Sequence, residues 1–251
     1  ILINLLTQGN FVRPSYIAKA ILSLLRQDAR ISSLMLNTSA LTDITKVEGV
    51  LKTLNQLPLL QHLMRICPLP DRQFEELFAS IRRTLLVGLG QITTSDECIC
   101  FLSTLSLHCF TNEYVYFESE EETKLIRVLE KRIAENATQD SHPAVVDLLC
   151  LATYRPLHKY DWSAELQELN QLPEVQRRLI EEPRSEIQLA REMPVLADVE
   201  DDISLKVREQ YEENPYPRWH NHVRKISSKS FNDTLLAQEL NPAKFVNFNN
   251  S

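Results

Sequence analysis

Residues 95–110, SDECICFLSTLSLHCF, are the stretch that decides the fold of this chain. Ser95 followed by Asp96 and Glu97 is typical of a helix start, because a side-chain acceptor and negative charge suit the exposed N–H groups there. The residues that follow are apolar on nearly every face. A helix with that composition is buried on all sides, so the stretch predicts a central helix surrounded by others.

The sequence on both sides of this stretch also has helical periodicity. RQFEELFASIRRTLLVGL, residues 72–89, repeats apolar side chains at three- and four-residue spacing, with Asp71 as its predicted cap. Upstream, Pro58 divides two shorter predicted helices, because proline lacks the amide that a helix interior needs. Downstream, Ser119 and Glu122 predict a capping box at the start of the next helix.

Glycine is scarce, with 4 in 251 residues. Strand-rich folds need glycine at turns and bulges, so an almost wholly helical protein is expected. The dinucleotide fingerprint and the P-loop need several glycines at fixed spacing, so both motifs are excluded. The predicted fold class is all-α, an irregular bundle or array of about nine to eleven helices with a C-terminal extended segment. Near its end, Pro173, Pro183 and Pro194 are predicted to bound short helical pieces.

Charge and cysteine content narrow the function classes further. The 34 acidic side chains outnumber the 27 basic ones, giving a net charge of −7, so nucleic-acid binding is not expected. No apolar run is long enough to span a membrane. The five cysteines form no C-x-x-C pair and are interpreted as buried, reduced thiols of a cytoplasmic protein, with no metal site.

Because the chain begins ILINLL without Met, we expect it to be a piece of a longer protein.

A change in charge divides the chain. Residues 160–213 carry 15 acidic against 6 basic side chains, whereas residues 214–251 carry 5 basic against 2 acidic ones. We therefore predict a helical domain at 1–197, an amphipathic helix with the NPYPRW segment at 198–219, and a linker at 220–251 toward a missing catalytic domain.

The segment VREQYEENPYPRW, residues 207–219, concentrates rigid aromatic side chains with polar tips on a proline-stiffened backbone. One interpretation is that it covers a ligand or docks on a neighbouring domain. The other is that its rings pin a helix end to their own domain. The residues concerned are Tyr211, Asn214, Pro215, Tyr216, Pro217, Arg218 and Trp219.

This segment, together with HCFTNEYVYFESEEE at 108–122 and LATYRPLHKYDW at 151–162, resembles the region upstream of the catalytic domain in a family of bacterial S-adenosylmethionine-dependent methyltransferases. The resemblance covers about residues 102–219. It implies a methyltransferase domain of the same protein as partner, and a protein substrate as a second possible one. It also implies a cofactor lid or interdomain hinge formed by Tyr211, Asn214, Tyr216, Arg218 and Trp219, with Pro215 and Pro217 in the interdomain contact.

The chain departs from the family pattern where the cofactor would bind. A Rossmann-like methyltransferase holds its cofactor with a Gly-rich turn after the first strand and an acid after the second, and the chain has neither. We therefore predict no catalytic residue and no bound cofactor in this chain, with S-adenosylmethionine as the cofactor of the longer protein. The alternative function is a free-standing helical interaction module that docks a protein partner through its aromatic C-terminal segment.

The string at 108–122 contains a second group of candidate residues. Asn112, Glu113 and Tyr114 fall where one helix meets the next, as an interface or as a polar junction bridging two helices. The acidic run after them has two interpretations, a metal site or a solvated first helical turn. Arg82 and Arg83 are predicted on ordinary helix faces that alternate with acids.

Overall fold

The computed structural model describes residues 1–7, 13–36, 41–91, 95–138, 142–166 and 168–192, with Lys206, Val207 and Gln210. Every regular element in these ranges is helical, which confirms the all-α prediction. The predicted C-terminal extended segment, and all but those three residues of the two predicted regions at 198–251, lie outside the described residues. The boundary at residue 197 stays a prediction.

The elements follow one another with short connections. The α-helices are α1 (Leu2–Thr7), α2 (Pro14–Leu25), α3 (Ala29–Leu36), α4 (Ile44–Asn55), α5 (Pro58–Ile66), α6 (Arg72–Val87), α7 (Asp96–Thr111), α8 (Glu120–Thr138) and α9 (Val145–Ala152). Three 3₁₀ turns come next, at Leu157–Lys159, Asp161–Glu165 and Glu168–Gln171. The last described helical run is α10 (Pro173–Gln176), a π-helical stretch (Arg177–Glu181) and α11 (Glu182–Glu192).

Helix α7 is the centre of the fold, as its composition predicts. The Ser95 hydroxyl accepts a hydrogen bond from the Cys98 N–H at 3.3 Å, and every residue from 101 to 111 is buried. Helices α4, α5 and α9 pack around it. Because the helix is apolar on all sides, only such a surrounding shell removes it from water.

The predicted starts of α5, α6 and α8 are also confirmed. Asp71 caps α6 by accepting from the N–H groups of Gln73 and Phe74, and Pro58 occupies the first position of α5. At the start of α8, the Glu122 carboxylate accepts from the Ser119 N–H at 2.9 Å, and the Ser119 hydroxyl accepts from the Glu122 N–H at 3.2 Å. These pairs satisfy N–H groups that have no partner within their own helix.

The prediction that Pro183 ends a helical piece is wrong. The run from Pro173 to Glu192 passes through Pro183 without a break. A proline ring normally collides with the carbonyl four residues earlier. Here the backbone widens to π-helical geometry at Arg177–Glu181, and the Glu182 N–H bonds to the Arg177 carbonyl. This wider turn is how the run accommodates the proline.

The interpretation of the cysteines needs one correction. All five are free thiols, and Cys67, Cys98, Cys109 and Cys150 are buried, but Cys100 is exposed. Two residues along a helix turn its surface by about 200°, so Cys100 points away from the side on which Cys98 is buried.

Candidate functional site

Two sequence strings that are far apart along the chain contact each other in the structure. Arg155 donates two hydrogen bonds to the Glu118 carboxylate, at 2.6 and 2.8 Å. The Tyr154 hydroxyl donates to Glu122 at 2.8 Å. The strings at 108–122 and 151–162 therefore form one unit, which we call the polar junction.

Arg82 of α6 lies at the centre of the polar junction and is 2% exposed. Its guanidinium donates to the carbonyl of Phe117 at 2.7 Å and to that of Thr153 at 3.4 Å. The same group lies 4.0 Å from the centre of the Tyr154 ring and 5.7 Å from that of Tyr116. A buried cation requires such partners, because its transfer from water is costly.

The prediction of an ordinary helix face is wrong for Arg82. Its position carried a signal, because it follows Phe78 by four residues and precedes Leu85 by three, in phase with the buried stripe of α6. Arg83 is half exposed and pairs with Glu121 at 2.5 Å, as expected for a surface residue.

The backbone between α7 and α8 makes an unusual turn. Glu113 and Tyr114 have φ angles of 57° and 55°, which side chains other than glycine rarely adopt. The Tyr114 N–H donates to the Cys109 carbonyl at 2.8 Å, so the turn closes the C-terminal end of α7. Each such residue stores on the order of 1 to 3 kcal/mol, which the surrounding contacts must offset.

Beyond this turn the side chains alternate between solvent and core. Val115 and Phe117 are 68% and 80% exposed, whereas Tyr116 between them is buried. The Tyr116 hydroxyl lies 2.7 Å from Nε2 of His108, whose Nδ1 lies 3.0 Å from the Met64 carbonyl. A carbonyl can only accept, so Nδ1 carries the proton and Tyr116 donates to Nε2.

Burial determines the ionisation of this inner group. It lowers the pKa of His108 from 6.5 to about 4, and it raises the pKa of Tyr116 well above its usual value. It also raises the pKa of the neighbouring Cys109 thiol to about 12. At neutral pH these three groups are uncharged, so they serve as packing and hydrogen-bonding groups.

Asn112, Glu113 and Tyr114 lie at the edge of the polar junction and are half-buried. Asn112 is the residue at which α7 ends, and the Tyr114 ring meets Phe110 edge-on with 6.5 Å between centroids. Their predicted part in an interface stays a prediction. The other candidate residues lie outside the described residues and are Tyr211, Asn214, Pro215, Tyr216, Pro217, Arg218 and Trp219.

The acidic run has separate partners for its members. Glu118 pairs with Arg155, Glu121 with Arg83, and Glu122 belongs to the capping box. In the described ranges no three His, Cys, Asp or Glu side chains lie close enough together to hold a metal ion. The arrangement matches a helix N-terminus, where Glu120, Glu121 and Glu122 form the first turn of α8. The prediction of a solvated turn is correct for Glu120 and Glu121, which are exposed, and wrong for Glu122, which is 3% exposed.

A small cavity lies elsewhere, between α4 and the start of α7. Its volume is about 170 Å³, and its lining includes Ile44, Glu48, Ser95 and Cys98. Ligand sites usually enclose roughly 300 to 1,000 Å³. Burial raises the pKa of Cys98 to about 11, so this wall does not offer a reactive thiolate at neutral pH.

Comparisons with protein-family models, curated proteins and solved structures found no match to this chain. None of the helices in the described part of the chain combines the length and apolar composition needed to cross a membrane. The polar junction and the sequence segment at 207–219 are therefore the two features of the chain that bear on its function.

Proposed function

We propose that this chain is the helical N-terminal portion of an S-adenosylmethionine-dependent methyltransferase-like protein, where it recruits substrate or caps the cofactor-binding domain. The observation that carries the proposal is the contact between the strings at 108–122 and 151–162, made by Glu118 with Arg155 and by Glu122 with Tyr154. Two of the three strings behind the family resemblance thus belong to one structural unit. Such a unit supplies a stiff support for a segment that reaches a second domain.

The third string, at 207–219, supplies the proposed contact with the cofactor domain. Arg218 has the geometry to bind a carboxylate through two parallel hydrogen bonds. Tyr216 or Trp219 would stack on an adenine ring or contact a sulfonium. Tyr211 and Asn214 complete the proposed lid, and in this arrangement the chain itself has no turnover.

We also propose that the protein works in the cytoplasm. All five cysteines are free, although the chain has enough of them for two disulfides. Free thiols are typical of a reducing compartment.

Calorimetric titration of S-adenosylmethionine tests the proposal. The 251-residue chain should show no measurable binding, whereas the longest protein encoded by the same reading frame should bind. In that longer protein, Tyr216→Ala with Trp219→Ala should weaken binding by about tenfold or more, because the lost stacking is worth roughly 1 to 3 kcal/mol. Tyr16→Ala is the matched control, since Tyr16 is 75% exposed on α2. Unchanged affinity and turnover in the double variant would remove the lid, and a longer protein that binds no cofactor would remove the methyltransferase assignment.

A second candidate function is a free-standing interaction module that docks a protein partner. Its support is the pair Val115 and Phe117, two exposed apolar side chains on a backbone that buried residues hold in place. A stop codon directly after Ser251 would favour this candidate. A continuation into an apolar strand and a Gly-rich turn would favour the first.

A further inference from the structure

The turn between α7 and α8 presents apolar side chains to solvent on a stiff support. Val115 and Phe117 point outward, while Tyr116 between them is anchored by His108. Arg82 binds the carbonyl of Phe117 from below at 2.7 Å. Binding of a partner to these two side chains therefore costs little conformational entropy in the backbone that carries them.

The same turn is acidic. Residues 112–123 include five glutamates and no lysine or arginine. Three arginines contact the turn, but Arg82 is buried beneath it, so the glutamates still outnumber the cations. Glu120 is exposed, and Glu121 is 64% exposed beside Arg83. We call Val115, Phe117, Glu118, Glu120 and Glu121 the acidic–apolar face.

The chain itself contains a segment of complementary chemistry. Residues 220–229, HNHVRKISSK, contain Arg224, Lys225 and Lys229 and no acidic side chain. Val223 and Ile226 add two apolar side chains among these cations. Opposite charges and matching apolar groups are the two features that a docking segment for the acidic–apolar face requires.

This segment is also within reach of the face. The first turn of α11 lies close to α8, because Arg184 donates to the Tyr160 carbonyl and the Tyr160 hydroxyl donates to Glu130. The 27 residues from 193 to 219 separate α11 from the segment. A stretch of 27 residues can span at most about 90 Å, so its length is sufficient for the segment to reach the face.

We propose that residues 220–229 dock on the acidic–apolar face of the same molecule. The cations lie against Glu118, Glu120 and Glu121, and the apolar side chains cover Val115 and Phe117. This contact does not depend on the proposed function, because it involves residues 220–229 and the proposed cofactor lid involves residues 207–219.

Disulfide trapping in the full chain tests this contact. Cys100→Ser first removes the exposed thiol. Phe117→Cys with Val223→Cys is then treated with a mild oxidant, and the crosslink is followed by non-reducing electrophoresis. The matched control is Tyr16→Cys with Val223→Cys, because Tyr16 is 75% exposed on α2, a helix that packs on α5. We expect the Phe117 pair to crosslink within one molecule at least about tenfold faster than the control.

Charge reversal completes the test. Adding Arg224→Glu and Lys225→Glu to the Phe117 pair should slow its crosslinking by about tenfold, and 0.5 M NaCl should slow it in the same direction. Equal rates for the Phe117 and Tyr16 pairs would overturn the proposal, because chance encounters then explain both. A crosslink that joins two molecules, or one that is unaffected by charge reversal and salt, would overturn it as well.

Discussion

Arg82 is the residue that links the parts of the polar junction. Its guanidinium donates to two carbonyls that come from different connections, those of Phe117 and Thr153, and it lies over the Tyr154 ring. The nearest buried acid, Glu122, is joined to it through Tyr154. Arg82 and Glu122 are therefore separated by the Tyr154 side chain, whose ring contacts Arg82 and whose hydroxyl donates to Glu122.

We expect Tyr154→Phe to lower the free energy of unfolding by about 1 to 3 kcal/mol. The change leaves the ring under Arg82 but removes a donor from Glu122, which is 3% exposed. Urea denaturation measures the effect as a shift in midpoint at constant slope. Tyr16→Phe removes a hydroxyl from a 75% exposed ring and should shift stability by less than about 0.5 kcal/mol. Equal, small effects of the two changes would contradict the role of the hydroxyl.

His108 makes stability depend on pH. Its pKa is about 4 in the folded chain and ordinarily 6.5, so between these values the unfolded chain binds more protons. The uncharged His108 contributes fully to the stability of the fold above pH 6.5, and this contribution decreases as the pH falls toward 4. Between pH 7 and pH 5 the titration of this residue alone should lower the free energy of unfolding by about 2 kcal/mol.

The measurement is the free energy of unfolding at several pH values in three proteins. His108→Gln, whose side chain does not titrate, should show a flatter profile than the wild type. Leu24→Gln, a change to an exposed and non-titrating side chain on α2, should keep the wild-type profile. A wild-type slope in His108→Gln would show that this histidine does not titrate as its burial indicates.

At the scale of elements, two glycines have opposite roles. Gly49 lies inside α4, and a Cβ there would meet nothing within 4 Å. A Cβ at Gly88, where α6 ends, would overlap the side chain of Ile44 at the start of α4. Glycine in a helix interior costs roughly 0.5 to 1 kcal/mol relative to alanine, whereas a forced overlap costs about 1 to 3 kcal/mol.

We therefore expect Gly49→Ala to raise the free energy of unfolding by about 1 kcal/mol and Gly88→Ala to lower it by about 1 to 3 kcal/mol. Urea midpoints of the two variants give the comparison. A Cβ at position 88 would meet Cδ1 and Cγ1 of Ile44. Ile44→Val removes Cδ1 and keeps Cγ1, so it should recover part of the loss in the Gly88→Ala background. The packing of α6 against α4 would be different from the one described if Gly88→Ala were neutral.

The helix starts at Asp71, Ser95 and Ser119 were predictable from the sequence, and tertiary contacts were not. Asp71, Ser95 and Ser119 accept hydrogen bonds from N–H groups two or three residues away, so a few neighbouring residues specify each cap. The pair of Glu118 and Arg155 joins positions 37 residues apart, and no local pattern specifies that distance. The left-handed turn was also missed, because Glu113 and Tyr114 are not residue types that favour positive φ.

At the scale of the whole molecule, the reactivity of the cysteine thiols measures whether reagents can reach the interior. Burial raises the pKa of Cys67 to about 12 and that of Cys98 to about 11, and it raises the pKa of Cys150 as well. Reaction with Ellman's reagent at pH 8 should therefore find one fast thiol in the native chain, Cys100, and five after denaturation. Cys100→Ser should remove the fast phase. Several fast thiols in the wild type would mean that the helices around α7 open on the timescale of the reaction.

The burial of residues 101–111 of α7 has a consequence during synthesis. Helix α9, which covers part of α7, begins 34 residues after α7 ends. A chain growing on the ribosome therefore displays an apolar helix before the segment that shields it has emerged. During that interval the nascent chain is a substrate for holdase chaperones, and synthesis that stops short of α9 leaves a product prone to aggregate.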